Sequence, residues 1–226
     1  MRIVFLNVWR GEAGEAIFEF INKEKQNTDI FVFMESSDDF KLKCEKILFD
    51  YLKVDASKKS DNEDEYLLAT YIKNDCKILD SKIILEDDFN IGYGLYSKIF
   101  FNNQIINLMN VHGAPRPGDK LDNPKRIEQS KEIINFMEKT EGLKIVGGDF
   151  NLEPETESVK MFEKNGYRNL IKEYKITTTR NDLAWSKYES KQMFADYVFV
   201  SPEVKVKSFE VPNIEVSDHL PLILEI

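Results

Sequence analysis

The chain has 226 residues, 42% of them hydrophobic, with 31 basic and 40 acidic side chains and a formal net charge of −9. That length accommodates one large domain with a substantial core. The acidic balance counts against broad, sequence-independent binding to nucleic acid, which relies on a basic surface. The opening "MRIVFLNVW" has one basic residue, a short apolar run and no small-residue cleavage pattern, so no secretory leader is expected. No stretch approaches the length of a membrane span. Two cysteines, Cys44 and Cys76, make neither a disulfide framework nor a metal knuckle. They are expected to be reduced, in a cytoplasmic, monomeric protein.

In chain order, residues 3–8 ("IVFLNV") read as a buried strand. "GEAIFEFINKEKQ" places Ile17, Phe18, Phe20 and Ile21 on one helical face. "DIFVFMES" is a second buried strand ending at Glu35, and "SDDFKLKCEKILFDY" holds a short helix. The polar run "DASKKSDNEDEY" is expected to be an exposed loop; its acids lack the central glycine and spacing of a calcium loop. "YLLATYIK", "CKILDSKIIL", "GLYSKIFF" and "QIINLMNVH" follow as strands separated by Asn, Asp and Gly turns. A helix enters at Pro124 and carries Ile127, Ile133, Ile134 and Met137 on one side. Residues 143–146 are strand-like, "TESVKMFEKNGYRNL" is a helix ended by Gly166, and "MFADYVFVS", "KVKSFEV" and "LPLILEI" close the chain as strands. There is no repeat and no linker-like segment, so residues 1–226 are expected to form a single domain. Strands in series without intervening helices favour antiparallel pairing, and two stacked sheets with outer helices would bury the continuous runs.

Several apolar strands end in, or just after, a polar residue suited to metal or phosphate. Asn7 lies in the first and Glu35 ends the second; His112 ends "IINLMNVH". Asp149 and Asn151 follow two glycines in "IVGGDFN", Asp196 sits in "FADYVFV", and Asp218 and His219 precede "LPLILEI". Singly, each has an ordinary structural explanation: a satisfied buried amide, a solvated strand end, a turn. Together they form a set of hard oxygen ligands and imidazoles that suits Mg²⁺ or Mn²⁺ with phosphate, and both histidines of the chain belong to it.

"FLNVW", "DIFVFMES", "NVHG", "GGDFN", "ADYVFVS" and "SDHLPL", in this order over nearly the whole chain, resemble the endonuclease/exonuclease/phosphatase superfamily, which includes DNase I-like nucleases and inositol polyphosphate 5-phosphatases. Met34 stands where many members have Gln, and Leu222 where many have Val; neither change removes a catalytic atom. The resemblance implies an α/β/β/α four-layer sandwich, with two mixed sheets packed face to face and helices outside. It further implies that Glu35 is the main Mg²⁺ ligand, helped by Asn7 and Asp218. Asp149 and Asn151 would position the attacking water, His219 would contact the scissile phosphate with Asp196 fixing its ring, and His112 would lie near the phosphate.

The chemistry agrees. Phosphate-ester hydrolysis needs a cation on the phosphoryl oxygens, a base for water, and an acid or metal for the leaving oxygen. A cation on Glu35 supplies the first, and Asp149 is the candidate base. Trp9, Arg10, Arg116 and Lys120 lie just past the same strand ends and are candidate substrate contacts, the last two in "HGAPRPGDK", a candidate phosphate-contacting loop. The expected activity is that of a metal-dependent phosphodiesterase or nuclease, with nucleic acid among the candidate substrates. The alternative is a phosphomonoesterase acting on a phosphorylated inositol or other small metabolite. A catalytically silent binding module is disfavoured because all eight polar residues are present.

Overall fold

Strand β1 (Arg2–Asn7) shows why the apolar runs are continuous. Ile3 and Phe5 face one apolar cluster and Val4 and Leu6 another, and all four are buried. A strand covered on both faces has no solvent side to mark with polar residues. β2 (Ile30–Met34) repeats the pattern, with Ile30, Val32 and Met34 in the first cluster and Phe31 and Phe33 in the second. Met34 is thus a filler of the core.

The computed structural model describes residues 1–59, 65–85, 92–186 and 191–226. The remaining strands are β3 (Tyr51–Lys59), β4 (Glu65–Lys73), β5 (Lys77–Ile84), β6 (Tyr93–Phe101), β7 (Gln104–His112), β8 (Leu143–Asp149), β9 (Arg168–Asn169), β10 (Asp196–Val200), β11 (Ser208–Glu210) and β12 (Leu222–Glu225). The helices are α1 (Glu15–Glu24), α2 (Asp38–Ile47), α3 (Pro124–Glu138), α4 (Glu157–Lys164), and the single turns α5 (Leu170–Glu173) and α6 (Asp182–Trp185). They build two six-stranded sheets, ordered β11-β12-β1-β2-β4-β3 and β5-β6-β7-β8-β10-β9. Pairing is antiparallel except at β1–β2 and β7–β8. Each parallel pair is joined through a helix, α1 or α3, because a parallel return needs a crossover. Ile17, Phe18, Phe40 and Cys44 of α1 and α2 cover one face of the first sheet. Ile133, Met137, Val159 and Phe162 of α3 and α4 pack with the second. The result is the four-layer sandwich. Cys44 and Cys76 are buried and free, and burial pushes both thiols up to about 12.

Two expectations change. The ends of the segment expected to be an exposed loop are strand: Asp55–Lys59 closes β3 and Glu65–Tyr66 opens β4, paired Lys59 with Glu65, while residues 60–64 lie outside the described residues. β3 is an edge strand, and its solvated face carries the polar residues that resemble a loop. The buried face of α3 is not apolar throughout: Arg126, Gln129 and Ser130 are buried along with Ile133, Ile134 and Met137, while Ile127 is only partly covered. The fourth helix does end before Gly166, at Lys164, and the chain beyond turns into β9 and α5.

Register carries the polar strand ends to one place. His112 of β7 pairs with Asp149 of β8, which pairs with Asp196 of β10, so the three form a row across one sheet. In the other sheet Asn7 pairs with Met34, one residue before Glu35. Gly147 is required by the facing sheet: a Cβ there would meet the Phe5 ring at 2.5 Å. Gly148 has φ +141°, and a Cβ would meet the Val111 carbonyl oxygen at 2.1 Å. Gly148→Ala is therefore expected to lower the unfolding free energy by about 2 kcal/mol or more, from strain and overpacking together. A urea denaturation midpoint equal to that of the unsubstituted chain would rule out this close approach.

Candidate active site

β1 and β8 end side by side across the seam between the sheets. The Asn7 side chain bridges them: its Nδ2 donates to Glu35 Oε1 and to Asp149 Oδ2, each at 3.0 Å, and its Oδ1 accepts from the Trp9 amide at 3.0 Å. With its oxygen engaged, the carboxamide holds the two carboxylates in place in this geometry. Ser217 donates its hydroxyl to the Asn7 carbonyl at 2.7 Å, tying the "SDH" turn to the end of β1.

Asp149 is buried and contacted on every side. Its Oδ1 accepts the Asn151 amide at 2.9 Å, and its Oδ2 lies 3.7 Å from His219 Nε2. Burial alone would push its carboxyl up; the charges of His219, Lys120 and His112, with the Asn7 amide, outweigh it and hold it at about 2. Both Asp196 oxygens lie against His219 Nδ1, at 2.8 and 3.0 Å. Burial lowers the His219 imidazole, as does Arg180, but Asp196, Asp149 and Asp218 together outweigh them and the net shift is upward. Burial raises Asp196, against the pull of His219. A carboxylate on Nδ1 fixes the ring and leaves Nε2 facing Asp149 and the cleft. Thr179 supports the pair by accepting the Asp196 and Ala195 amides at 3.2 and 3.1 Å.

Glu35 is partly exposed at the mouth, and its Oε1 lies 3.9 Å from His112 Nε2. The His112 ring stands edge-on to Tyr66, centroids 5.2 Å apart, and its Nδ1 has no hydrogen-bond partner among the described residues. Glu35, His112 and Asp149 can bring one ligand atom each within 4.8 Å of one another, as can Asp149, Asp196 and His219. Two carboxylates and an imidazole suit a hard divalent cation. The second trio is committed to the Asp196–His219 hydrogen bonds, so the first is the better fit.

Asp218 joins neither trio among the described residues; Arg180 Nη2 lies 3.4 Å from its Oδ2. Asn151 adopts φ +53° and donates Nδ2 to the Gly113 carbonyl at 3.2 Å. Lys120 is buried with its Nζ 3.4 Å from Asn151 Oδ1. Trp9 is half-buried, Arg116 is exposed on the loop after β7, and Arg10 pairs with Glu65 at 3.0 Å at the surface. Trp9, Arg10, Glu35, Lys120 and Asn151 account for five of the nine non-glycine residues at positive φ among the described residues. Backbone strain is thus concentrated around this cleft. Arg180 and Thr179 were not expected from the sequence; the cue was only "TTTR" between two elements, with no apolar period to place it. Among the described residues no helix is long and apolar enough to cross a membrane.

Two face-packed mixed sheets with helices outside and this polar cluster at the strand ends are the DNase I-like architecture. The family model described as Endonuclease/Exonuclease/phosphatase family matches residues 4–219, and the chain belongs to that family, whose members hydrolyse phosphate esters with divalent metal. Solved structures of the same fold include an endonuclease/exonuclease/phosphatase family protein from Bacteroides thetaiotaomicron, with TM-score 0.81, 16% identity, and 99% of this chain and 93% of that one covered. A second, the mannosyl-6-phosphatase Bt3783 of the same organism, has TM-score 0.76, 15% identity, and 100% and 98% covered. A third, D. rerio TDP2 complexed with single strand DNA product, has TM-score 0.75, 15% identity, and 99% and 97% covered. No curated protein matches the chain.

Proposed function

We propose that residues 1–226 act as one unit, a Mg²⁺-dependent phosphodiesterase or nuclease. The observation that carries the reading is the convergence, from both sheets, of the Asn7-bridged carboxylates Glu35 and Asp149 with the Asp149–His219–Asp196 chain. Glu35, with Asp149 and His112, would hold the cation, Mg²⁺ or Mn²⁺; its chemistry is to neutralise phosphoryl oxygens and activate the ester. Asp149, ionised and beside Asn151, orients the attacking water and takes its proton. His219, kept cationic by Asp196, faces the phosphoryl group with Nε2 and stabilises the charge that builds in the transition state. Where Glu35 and Asp149 hold the cation without it, His112 Nε2 is left for the phosphoryl oxygen or the leaving oxygen. Asn7 sets the distance between the two carboxylates. Asp218 holds Arg180 beside this group and is at hand for the cation.

The second reading is a phosphomonoesterase, favoured by the buried cations Lys120 and Arg180 beside Asn151 and Asp218, which suit a dianion, and by the fold likeness to a mannosyl-6-phosphatase. The test compares bis-p-nitrophenyl phosphate with p-nitrophenyl phosphate, then DNA, RNA and phosphoinositides. Faster diester cleavage is expected. Faster monoester cleavage would move the assignment to the second reading, and no hydrolysis of any member would overturn both.

A further inference from the structure

Arg126 is wholly buried near the start of α3, where an apolar residue would ordinarily pack. Burying a guanidinium is costly unless its donors are matched, and here one loop matches them. Nε and Nη2 donate to the Ala114 carbonyl at 3.3 Å, Nη2 to Pro117 O at 2.5 Å, and Nη1 to Leu121 O at 2.6 Å and Asp119 Oδ1 at 3.1 Å. Neighbouring bonds pin the same loop: Gly113 N to Asp149 O at 2.6 Å, Ala114 N to Gln129 Oε1 at 3.0 Å, and Glu153 N to Lys120 O at 2.9 Å. Asp122 accepts the Glu157 and Ser158 amides at the start of α4. A segment fixed this thoroughly does not adapt to its occupant; it presents something.

What it presents is Lys120. Its backbone sits at φ +57°, and its side chain is 3% exposed. Of three ammonium donors, one makes a 3.4 Å bond to Asn151 Oδ1, and among the described residues no carboxylate comes within ion-pair distance. Its partner Asn151 also donates its backbone amide to Asp149 Oδ1 at 2.9 Å, so the ammonium sits one residue away from the Asp149 carboxylate. A buried cation with unspent donors, held beside the residues of the proposed chemistry, is built for an anion.

We propose that Arg126 is a positioning residue: by clamping the 113–121 loop it holds Lys120 as a preset cation for a phosphoryl oxygen of the substrate. The proposal rests on the phosphate-ester reading for its substrate, but its test does not depend on turnover. Binding of inorganic phosphate is measured by calorimetry, with Mg²⁺ and with chelator, for the unsubstituted chain, Lys120→Met, Arg126→Lys and the double variant, each with its thermal midpoint. Lys120→Met is expected to weaken phosphate binding by about tenfold or more, with the midpoint unchanged or raised because a sparsely bonded buried charge is gone. Arg126→Lys is expected to lower the midpoint and to weaken phosphate binding by the same factor. The double variant should bind phosphate no more weakly than Lys120→Met alone, since both act on one contact. Phosphate affinity unchanged in Lys120→Met, with a lowered midpoint, would make Lys120 a mere loop anchor and overturn the proposal. Unchanged affinity in Arg126→Lys would overturn the positioning role. If that variant does not fold, Asp119→Ala, at the half-exposed end of the clamp, replaces it on the same criterion. A chain that binds phosphate through Lys120 but hydrolyses nothing would refute the catalytic reading alone; one that binds no phosphate at all would refute both.

Discussion

Replacing His219 with alanine is expected to lower the turnover rate by about 10³-fold or more, because the group facing the phosphoryl oxygens is lost. Asp196→Asn is expected to cost about 10- to 100-fold, the usual penalty for removing the partner that orients a catalytic ring. The two substitutions also differ in pH behaviour. Burial pushes His219 down, and Asp196, joined by Asp149 and Asp218, more than offsets burial and Arg180, so its folded pKa lies above that of a free imidazole. The cationic ring therefore persists to higher pH, and activity falls as pH rises through the raised pKa. With asparagine at 196 the carboxylate charge is gone while the burial remains, so that alkaline fall moves toward acid. The double variant should be little worse than His219→Ala, because residues acting as a unit are not additive. Rate–pH profiles of the four proteins decide this; losses that multiply would show that Asp196 does something other than serve His219.

Excess EDTA is expected to abolish hydrolysis, and Mg²⁺ or Mn²⁺ to restore it. Glu35→Gln should raise the metal concentration needed for half-maximal rate by about tenfold or more, since a neutral amide is a weak ligand for a hard cation. A second readout is independent of turnover. A ligand at a hundred times its dissociation constant stabilises the native state by about 2.7 kcal/mol, so Mg²⁺ should raise the thermal midpoint of the unsubstituted chain more than that of Glu35→Gln at equal concentration. Full activity in excess chelator would end the metal assignment, whatever the midpoints show.

Where a strand is buried on both faces, its sequence announces it, and β1 and β2 were legible as continuous apolar runs. β3 was not, because as an edge strand it alternates partly covered Val54 and Ala56 with solvated Lys53, Asp55 and Ser57, and that mixture also describes a loop. The polar residues of the cleft were visible for a related reason: a carboxylate or imidazole directly abutting a buried run is conspicuous. Register does the rest, and pairings such as His112 with Asp149 follow from sheet order that no single strand specifies. Arg126, Thr179 and Arg180 escaped notice because their partners are loop carbonyls, amides and a distant aspartate. A side chain whose purpose is to satisfy irregular backbone leaves no period in the sequence.

The Phe5 ring lies where a Cβ on residue 147 would be, and Phe5 and Gly147 each stand two residues before a partner in the Asn7–Asp149 hydrogen bond. Along a strand, residues two apart point the same way, so the separation of the sheets at the Phe5–Gly147 contact is copied, one pleat further on, into the gap between amide and carboxylate. The depth of hydrophobic packing there works as a ruler for the chemistry. A single methyl inserted far below the solvent surface, out of reach of any substrate, would be read out at the mouth as a carboxamide that no longer spans its two acids.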